Sequence, residues 1–149
     1  MLKDGDIINI DITVIYEGWH GDTSKMYLVG QVPAHAKRLV DITQECMYAG
    51  IRKVKPGAHL GDIGNAIQTL AEENHYSVVR DYCGHGIGQI YHEEPQVVHY
   101  GEIRALFLKR ACASPIEPMI NRPYHSKLLD DGWTVVTKDG KLQHSGSIQ

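Results

Sequence analysis

Two aspartates near the start of the chain have the spacing of a paired-carboxylate site. Asp11 and Asp22 lie in the stretch 9–24, where isoleucine and valine alternate with polar residues, the two-residue period of a β-strand. Glu17-Gly18 supplies a turn, since glycine tolerates the positive φ of a tight hairpin. With a two-residue loop at 17 and 18, the residue numbers of cross-strand partners add up to 35, so Asp11 faces Ser24. Asp22 lies on the same face as Asp11, at a diagonal distance of about 7–8 Å between Cα atoms.

Two carboxylates on one face repel each other unless a positive charge lies between them. Hard divalent cations prefer carboxylate oxygens, so the hairpin predicts a metal site at Asp11 and Asp22. The alternative is a pair of surface aspartates on an exposed sheet face.

Two histidines and a glutamate follow in contexts that expose their side chains. His85 stands in Cys83-Gly84-His85-Gly86-Ile87-Gly88, where the glycines permit tight turns and leave the imidazole uncovered. His92 comes seven residues later, and Glu117 is held extended by Pro118. A lone histidine is more often structural, but this cluster favours a functional role. The glycines do not form a dinucleotide loop, because no helix pattern follows them.

The elements around these residues predict an α+β domain. An apolar stripe at helical spacing (Leu39, Ile42, Cys46, Ala49) indicates one helix, and a second is predicted over about 60–74. Strands are predicted over 77–82 and 133–137, with a turn at 138–140. We expect a single domain over 1–149, an antiparallel sheet covered by helices.

The composition excludes several classes of protein. A net charge of −3 gives no electrostatic support for nucleic-acid binding. We expect no membrane partner, because no apolar run reaches the length of a membrane span and no signal peptide opens the chain. Three cysteines without CxxC spacing argue against a disulfide framework and a zinc ribbon, and they fit a reducing cytoplasm.

These residues, in this order and context, resemble the type I methionine aminopeptidases. The shared motifs are Asn-Ile-Asp-Ile-Thr-Val, His-Gly-Asp-Thr-Ser, Tyr-Cys-Gly-His-Gly-Ile-Gly, His-Glu-Glu-Pro-Gln-Val and Ile-Glu-Pro-Met. The resemblance covers residues 2–100 and 116–142; proline-specific relatives share the ligand order but not these contexts. It implies a pita-bread fold, with two pseudo-symmetric α/β halves around an antiparallel sheet, and a mostly monomeric cytoplasmic protein.

The resemblance also implies roles for individual residues. Asp11 and Asp22 would bridge two divalent metal ions (Co, Mn, Fe or Zn), with His85 and Glu117 as further ligands. His92 would be the catalytic histidine that contacts the substrate, and Trp133 would lie near the substrate methionine. His20 has no ligand role in the family, so we interpret it as structural.

The implied activity is removal of the initiator methionine from nascent proteins, at the ribosome among other places. Water held between the two metals would attack the first peptide bond, a common use of dimetal sites. The substrate partner is therefore the N-terminal methionine of a nascent polypeptide.

The chain departs from the family at both ends, so we expect it to be a truncated catalytic domain. The family's N-terminal segment is missing, and no glutamate follows Glu117, although the family's fifth ligand is a later glutamate. We therefore expect the chain as written to be inactive. Alternatives are a non-catalytic pita-bread binding module and a metal-binding fragment without function. Retention of Asp11, Asp22, His85 and Glu117 favours the truncated enzyme.

The unmatched stretches 101–115 and 143–149 are predicted to be frame-shifted. The codons GGC ATG CGC TTC ACC encode the family's Gly-Met-Arg-Phe-Thr; without the first base they read Ala-Cys-Ala-Ser-Pro, which is the sequence of residues 111–115. Codons for the family's Ser-Ala-Gln-Trp-Glu-His-Thr, read one base later, give the sequence of residues 143–149. We expect both stretches to pack poorly, and 143–149 to be exposed because it has no apolar alternation.

Overall fold

The computed structural model describes residues 1–101, 106–109, 112–122, 126–138 and 143–145, the last range as backbone only. Its elements in chain order are β1 (Ile7–Tyr16), β2 (Trp19–Leu28), α1 (Ala34–Ile51), α2 (Leu60–Glu73), β3 (Ser77–Val78), β4 (Gly84–Gly86), β5 (Glu93–Val97), β6 (Met119–Asn121), β7 (Ser126–Leu128), β8 (Val135–Thr137) and β9 (Gln143–Ser145). The predicted mixture of helices and antiparallel strands is confirmed. Within this described part, no helix is both long and apolar enough to span a membrane.

The predicted hairpin forms with the predicted register. β1 and β2 pair antiparallel, with Asp11 opposite Ser24 and Thr13 opposite Asp22. Glu17 (φ 51°) and Gly18 (φ 85°) both adopt the left-handed conformation that a two-residue hairpin loop requires. Successive side chains point to opposite faces of a strand, so Asp11 and Thr13 share one face of β1.

Both predicted helices form, and they pack on each other. Pro56 and Gly57 stand between them, and α2 begins where the carboxylate of Asp62 accepts a hydrogen bond from the backbone N–H of His59 at 2.8 Å. The close contact between the helices depends on Gly50, because a Cβ there would lie 2.8 Å from Cδ1 of Ile67. The apolar core joins the helices to the strands behind them: Leu39, Cys46, Met47, Leu60, Ile63, Ile67, Ala71, Tyr76, Val78, Val97, Ile116 and Ile120.

The described strands form four separate hydrogen-bonded groups. Three are pairs, β1–β2, β4–β5 and β7–β8, and the fourth is a three-stranded sheet in the order β3-β6-β9. All the pairings are antiparallel. β9 was not predicted as a strand. Its pairing with β6 uses backbone groups, which do not require the apolar alternation that the sequence lacks there.

Two predicted strands are shorter than expected. The run predicted over 77–82 forms β3 only at Ser77–Val78, and one further backbone hydrogen bond joins Val79 to Met119. β8 begins at Val135 rather than at Trp133, because the side chain of Asp131 accepts the backbone N–H groups of Trp133 and Thr134 and holds them in a turn. The turn predicted at 138–140 lies mostly outside the described residues, as do 146–149.

Candidate metal centre

His85 is carried by β4, a strand that glycine alone can build in this position. A Cβ on Gly86 would lie 2.4 Å from the carbonyl oxygen of Glu94, and one on Gly84 would lie 2.9 Å from that of Pro115. The glycines therefore let β4 pass between two neighbouring backbone segments, with the imidazole of His85 as the side chain that projects from it.

The backbone sets the orientation and tautomer of His85. Nδ1 lies 2.8 Å from the carbonyl oxygen of Gly86, which only accepts hydrogen bonds, so Nδ1 carries a proton. In the neutral imidazole, Nε2 then holds a lone pair, and it lies 3.8 Å from Oε1 of Glu117. Two donor atoms bound to one ion at about 2.0–2.2 Å each are separated by at most about 4 Å. The pair is thus spaced to share a cation.

Glu117 is fixed just before β6 by a buried histidine. Its backbone N–H donates to Nε2 of His99 at 3.1 Å, and burial lowers the pKa of His99 to about 4, so that ring stays neutral. Burial raises the pKa of the Glu117 carboxyl to about 7; His85 acts to lower this pKa, while the charges of Asp22 and Asp11 raise it further. The ionised form of Glu117 therefore lacks sufficient positive charge around it.

Asp11 and Asp22 form the second pair of donors. Burial raises the pKa of Asp11, and the charge of Asp22 together with a side-chain hydrogen bond between the two carboxyl groups raises it further. Asp22 is only 4% exposed. The expected closeness of these two groups across the hairpin is thus present.

Three of the four donors meet at one open cavity of about 670 Å³. The predicted site residues Asp11, His85, His92 and Glu117 line it, together with Ser24, Tyr82, Cys83, Gly84, Tyr91, Glu93, Glu94, Gln96 and Met119. His92 is exposed on the wall, with its ring centroid 4.3 Å from that of His85. Asp22 lies behind this wall and reaches it through a 3.1 Å hydrogen bond from the hydroxyl of Tyr91.

The donor set suits divalent ions, although the donors are not yet gathered around one point. Among the described residues, no three His, Cys, Asp or Glu side chains converge closely enough to hold an ion. The structure instead presents two pairs, Asp11 with Asp22 and His85 with Glu117, and the carboxyl pKa values of Asp11 and Glu117 are raised. A site for divalent ions is expected to have oxygen-rich ligands, and here there are three carboxylates and one imidazole. The second nitrogen of that imidazole is hydrogen-bonded to a carbonyl group, as is usual for a metal-binding histidine.

Two other predicted residues lie away from the donors. Trp133 is 88% exposed in the turn before β8, and the described lining of the cavity does not include it. Its substrate role stays a prediction. The backbone N–H of His20 and its ring Nδ1 both lie within hydrogen-bond distance of the carbonyl oxygen of Gly88, at 2.9 and 3.0 Å, so His20 ties the hairpin to the loop after β4. This is the structural role expected for it.

Three residues at the site were not identified from the sequence: Thr13, Tyr91 and His99. The hairpin register that places Asp11 opposite Ser24 also places Thr13 opposite Asp22, so Thr13 could have been found. Nothing in the local pattern around Tyr91 or His99 indicates that these side chains reach Asp22 and the backbone of Glu117.

Comparison with known protein sequences shows the family of this chain. The sequence model of metallopeptidase family M24 matches residues 1–141. The chain is 53% identical over 144 residues to the methionine aminopeptidase of Rickettsia prowazekii, covering 95% of this chain and 56% of that protein. The same identity holds for the methionine aminopeptidase of Escherichia coli K12, of which 54% is covered. The chain thus spans about half the length of the curated relatives it matches.

Solved structures show the same fold. The methionine aminopeptidase of Rickettsia prowazekii superposes with a TM-score of 0.95 at 52% identity, covering 98% of this chain and 60% of that one. The methionine aminopeptidase of Thermotoga maritima gives 0.90 at 37% identity, covering 97% and 58%. A prolidase from Thermococcus sibiricus gives 0.76 at 22% identity, covering 98% and 35%, a likeness of fold alone. The predicted pita-bread fold is confirmed, in partial form, and the chain belongs to metallopeptidase family M24.

Proposed function

We propose that this chain is the metal-binding part of a methionine aminopeptidase, which removes the N-terminal methionine of nascent polypeptides. The observation that supports this most directly is the pairing of His85 Nε2 with Glu117 Oε1 at 3.8 Å, on the wall of the cavity that Asp11 also lines. The matched relatives are named methionine aminopeptidases.

Asp11, Asp22, His85 and Glu117 would hold two divalent ions. Oxygen-rich ligands with one imidazole favour Mn, Fe or Co and also accept Zn. When bound, such ions polarise a carbonyl group and make water more acidic. Bound cations would also offset the burial and the repulsion from Asp22 and Asp11 that together raise the carboxyl pKa of Glu117 to about 7.

The remaining residues would bind and orient the substrate. His92 is exposed on the cavity wall beside His85, where its ring can donate a hydrogen bond to the oxygen of the first peptide carbonyl. Glu117 can accept a proton where its carboxylate is ionised. We assign Trp133 to the substrate methionine on the family resemblance. The encounter with nascent chains would take place in the cytoplasm, in part at the ribosome.

We further propose that the 149-residue chain on its own has little activity. No glutamate follows Glu117 within these 149 residues, so they do not by themselves supply the family's fifth ligand. With fewer carboxylates to bridge the ions, the second ion is expected to bind weakly. The four retained ligands speak against a non-catalytic binding module, whose ligands would not be maintained by selection.

Calorimetric titration with Mn²⁺ tests the metal site. We expect the 149-residue chain to bind the ion and Asp11→Asn to bind it much more weakly, while Asp81→Asn, a carboxylate outside the cavity lining, binds as the original chain does. Absence of binding would refute the site. Methionine release from a Met-Ala-Ser peptide, measured in parallel, should be near zero, and rapid turnover by this chain would refute the proposed inactivity.

A further inference from the structure

Asp22 is held by two hydroxyl groups from distant parts of the chain. Oδ1 accepts a hydrogen bond from Oγ1 of Thr13 at 3.0 Å, and Oδ2 accepts one from the phenol of Tyr91 at 3.1 Å. The two hydroxyl oxygens are themselves 3.0 Å apart. Both oxygens of the buried carboxylate therefore have a fixed neighbour.

The fold places each hydroxyl independently. Thr13 faces Asp22 across the β1–β2 hairpin. Tyr91 comes from the segment before β5, and its ring packs against the rings of His20, His85 and His92 at centroid distances of 5.7, 5.4 and 4.1 Å. Tyr91 thus connects the carboxylate side of the cavity with the histidine side.

The hydrogen bonds from Thr13 and Tyr91 do not use all the lone pairs of the Asp22 carboxylate, so Asp22 can also bind an ion. A carboxylate only accepts hydrogen bonds, so Tyr91 donates its single proton to Oδ2. Thr13 has one proton, which goes either to Oδ1 of Asp22 or to the oxygen of Tyr91. Each carboxylate oxygen has two lone pairs, so each keeps one that neither Thr13 nor Tyr91 occupies; in the metal-free chain the Asp11 carboxyl group shares a hydrogen bond there, a place that a bound ion would take.

We infer that Tyr91, supported by Thr13, is a positioning residue that orients the Asp22 carboxylate for metal binding. The hydroxyls hold the Asp22 carboxylate in one orientation beside the Asp11 carboxyl group, with which it shares a hydrogen bond, so that it is not free to rotate. Hydrogen bonds to ligating groups of this kind typically change metal affinity by about 10–100-fold. The inference rests on the proposed metal site.

Tyr91→Phe tests the inference, because it removes the hydroxyl and keeps the ring among the three histidines. The control is Tyr16→Phe at the exposed end of β1. In calorimetric titrations of the 149-residue chain with Mn²⁺, we expect Tyr91→Phe to raise the Kd about 10–100-fold and Tyr16→Phe to leave it unchanged. The visible absorption of bound Co²⁺ should shift in Tyr91→Phe alone, since the geometry around the ion changes.

The possible failures are distinguishable. If the original chain binds no ion, the proposed metal site is wrong; if it binds and Tyr91→Phe has the same Kd and Co²⁺ spectrum, the positioning role is wrong. A weaker Kd accompanied by an altered circular dichroism spectrum of the metal-free variant would also overturn it, since unfolding would then explain the loss. Thr13→Val combined with Tyr91→Phe should cost less than the sum of the two single changes, because both act on one carboxylate.

Discussion

Nε2 of His85 lies 3.8 Å from Oε1 of Glu117, although β4 and the segment before β6 are far apart in the sequence. Nδ1 of His85 is occupied by the carbonyl oxygen of Gly86, and the backbone of Glu117 is tied to His99. Both partners are thus fixed from behind, with their donor atoms directed at each other. A cation between them would satisfy both.

Glu117→Gln is expected to have opposite effects with and without metal. The folded-state pKa of Glu117 is about 7, above the ordinary 4.5. The stability that goes with the protonated form is fully present below pH 4.5 and is lost as the pH rises through 7. In EDTA at pH 8, Glu117→Gln should therefore raise the free energy of unfolding, by up to about 3 kcal/mol. It should also weaken Mn²⁺ binding.

Urea denaturation at pH 5 and pH 8 with EDTA, and calorimetric titration with Mn²⁺, measure the two effects. Glu93→Gln is the control, since Glu93 lines the same cavity but is exposed. A Glu117→Gln variant that is less stable than the original chain at pH 8 in EDTA would contradict the expectation.

His99 should make the metal-free chain sensitive to acid. Burial lowers its pKa from 6.5 to about 4, so the folded state binds fewer protons than the unfolded state between these values. The neutral His99 therefore contributes to the free energy of unfolding above pH 6.5. This contribution, on the order of 3 kcal/mol, is lost as the pH falls through 4. His99→Gln keeps an acceptor for the backbone N–H of Glu117 and should show a weaker decline in stability from pH 6.5 to 4.

Unfolding in EDTA across this pH range tests the role of His99. The contribution of Glu117 has the opposite sign over an overlapping pH range, and His99 contacts Glu117, so the comparison is made in the Glu117→Gln background, where that contribution is removed. His35→Gln, at an exposed position of α1, should leave the pH profile of that background unchanged. Equal pH profiles for Glu117→Gln with and without His99→Gln would rule out the buried neutral histidine.

The local elements that position the site could be predicted from the sequence. The register of the hairpin follows from a two-residue loop at Glu17 and Gly18, because turn geometry fixes strand pairing. The helices follow from apolar periodicity and from the Pro56-Gly57 break between them. Turn residues and apolar periodicity act between residues that are close in the sequence. These elements can therefore be predicted without knowing the tertiary contacts.

Contacts between distant segments could not be predicted in this way. The phenol of Tyr91 reaches Asp22, and the ring of His99 accepts from the backbone of Glu117, only after the strands have assembled. The position of Trp133 also could not be predicted from the apolar pattern of 133–137. The side chain of Asp131 accepts the backbone N–H of Trp133 and holds it in a turn, where a strand was predicted. The family resemblance supplied the ligand order but not these contacts.

The outer face of the hairpin should cause the 149-residue chain to self-associate. Ile10, Ile12 and Val14 alternate with Asp11 and Thr13 on β1, and they are 44%, 53% and 57% exposed. A continuous exposed apolar patch on a strand pair is typical of an interaction surface. Ile12→Lys should therefore shift the chain towards monomer in sedimentation experiments, without altering Mn²⁺ affinity.

The control for this surface is Val54→Lys, since Val54 is a similarly exposed apolar residue outside the hairpin. It should leave the association unchanged. A monomeric original chain at high concentration would contradict the prediction.

The frame shift proposed over 101–115 would remove two large apolar side chains from this part of the chain. An apolar cavity of about 340 Å³ lies beside Cys112, Ala113 and Ser114, with Leu60 and Ile63 in its wall. In the neighbouring reading frame, residues 111–115 would read Gly-Met-Arg-Phe-Thr, which puts two large apolar side chains in place of a cysteine and a serine. We propose that this cavity is the space those side chains fill in the unshifted protein.

Cys112→Met with Ser114→Phe should therefore stabilise the chain. Fully burying a large apolar side chain contributes about 1.5–3 kcal/mol; Cys112 is exposed and Ser114 half-buried, so we expect the double variant to gain about 1–3 kcal/mol in the free energy of unfolding. Ala113→Arg alone, the control, supplies no apolar group and should give no gain. Urea denaturation measures all three variants, and resequencing the gene should find the family's codons one base out of frame. Unchanged or lower stability of the double variant would contradict the cavity argument, and DNA without those codons would contradict the frame shift itself.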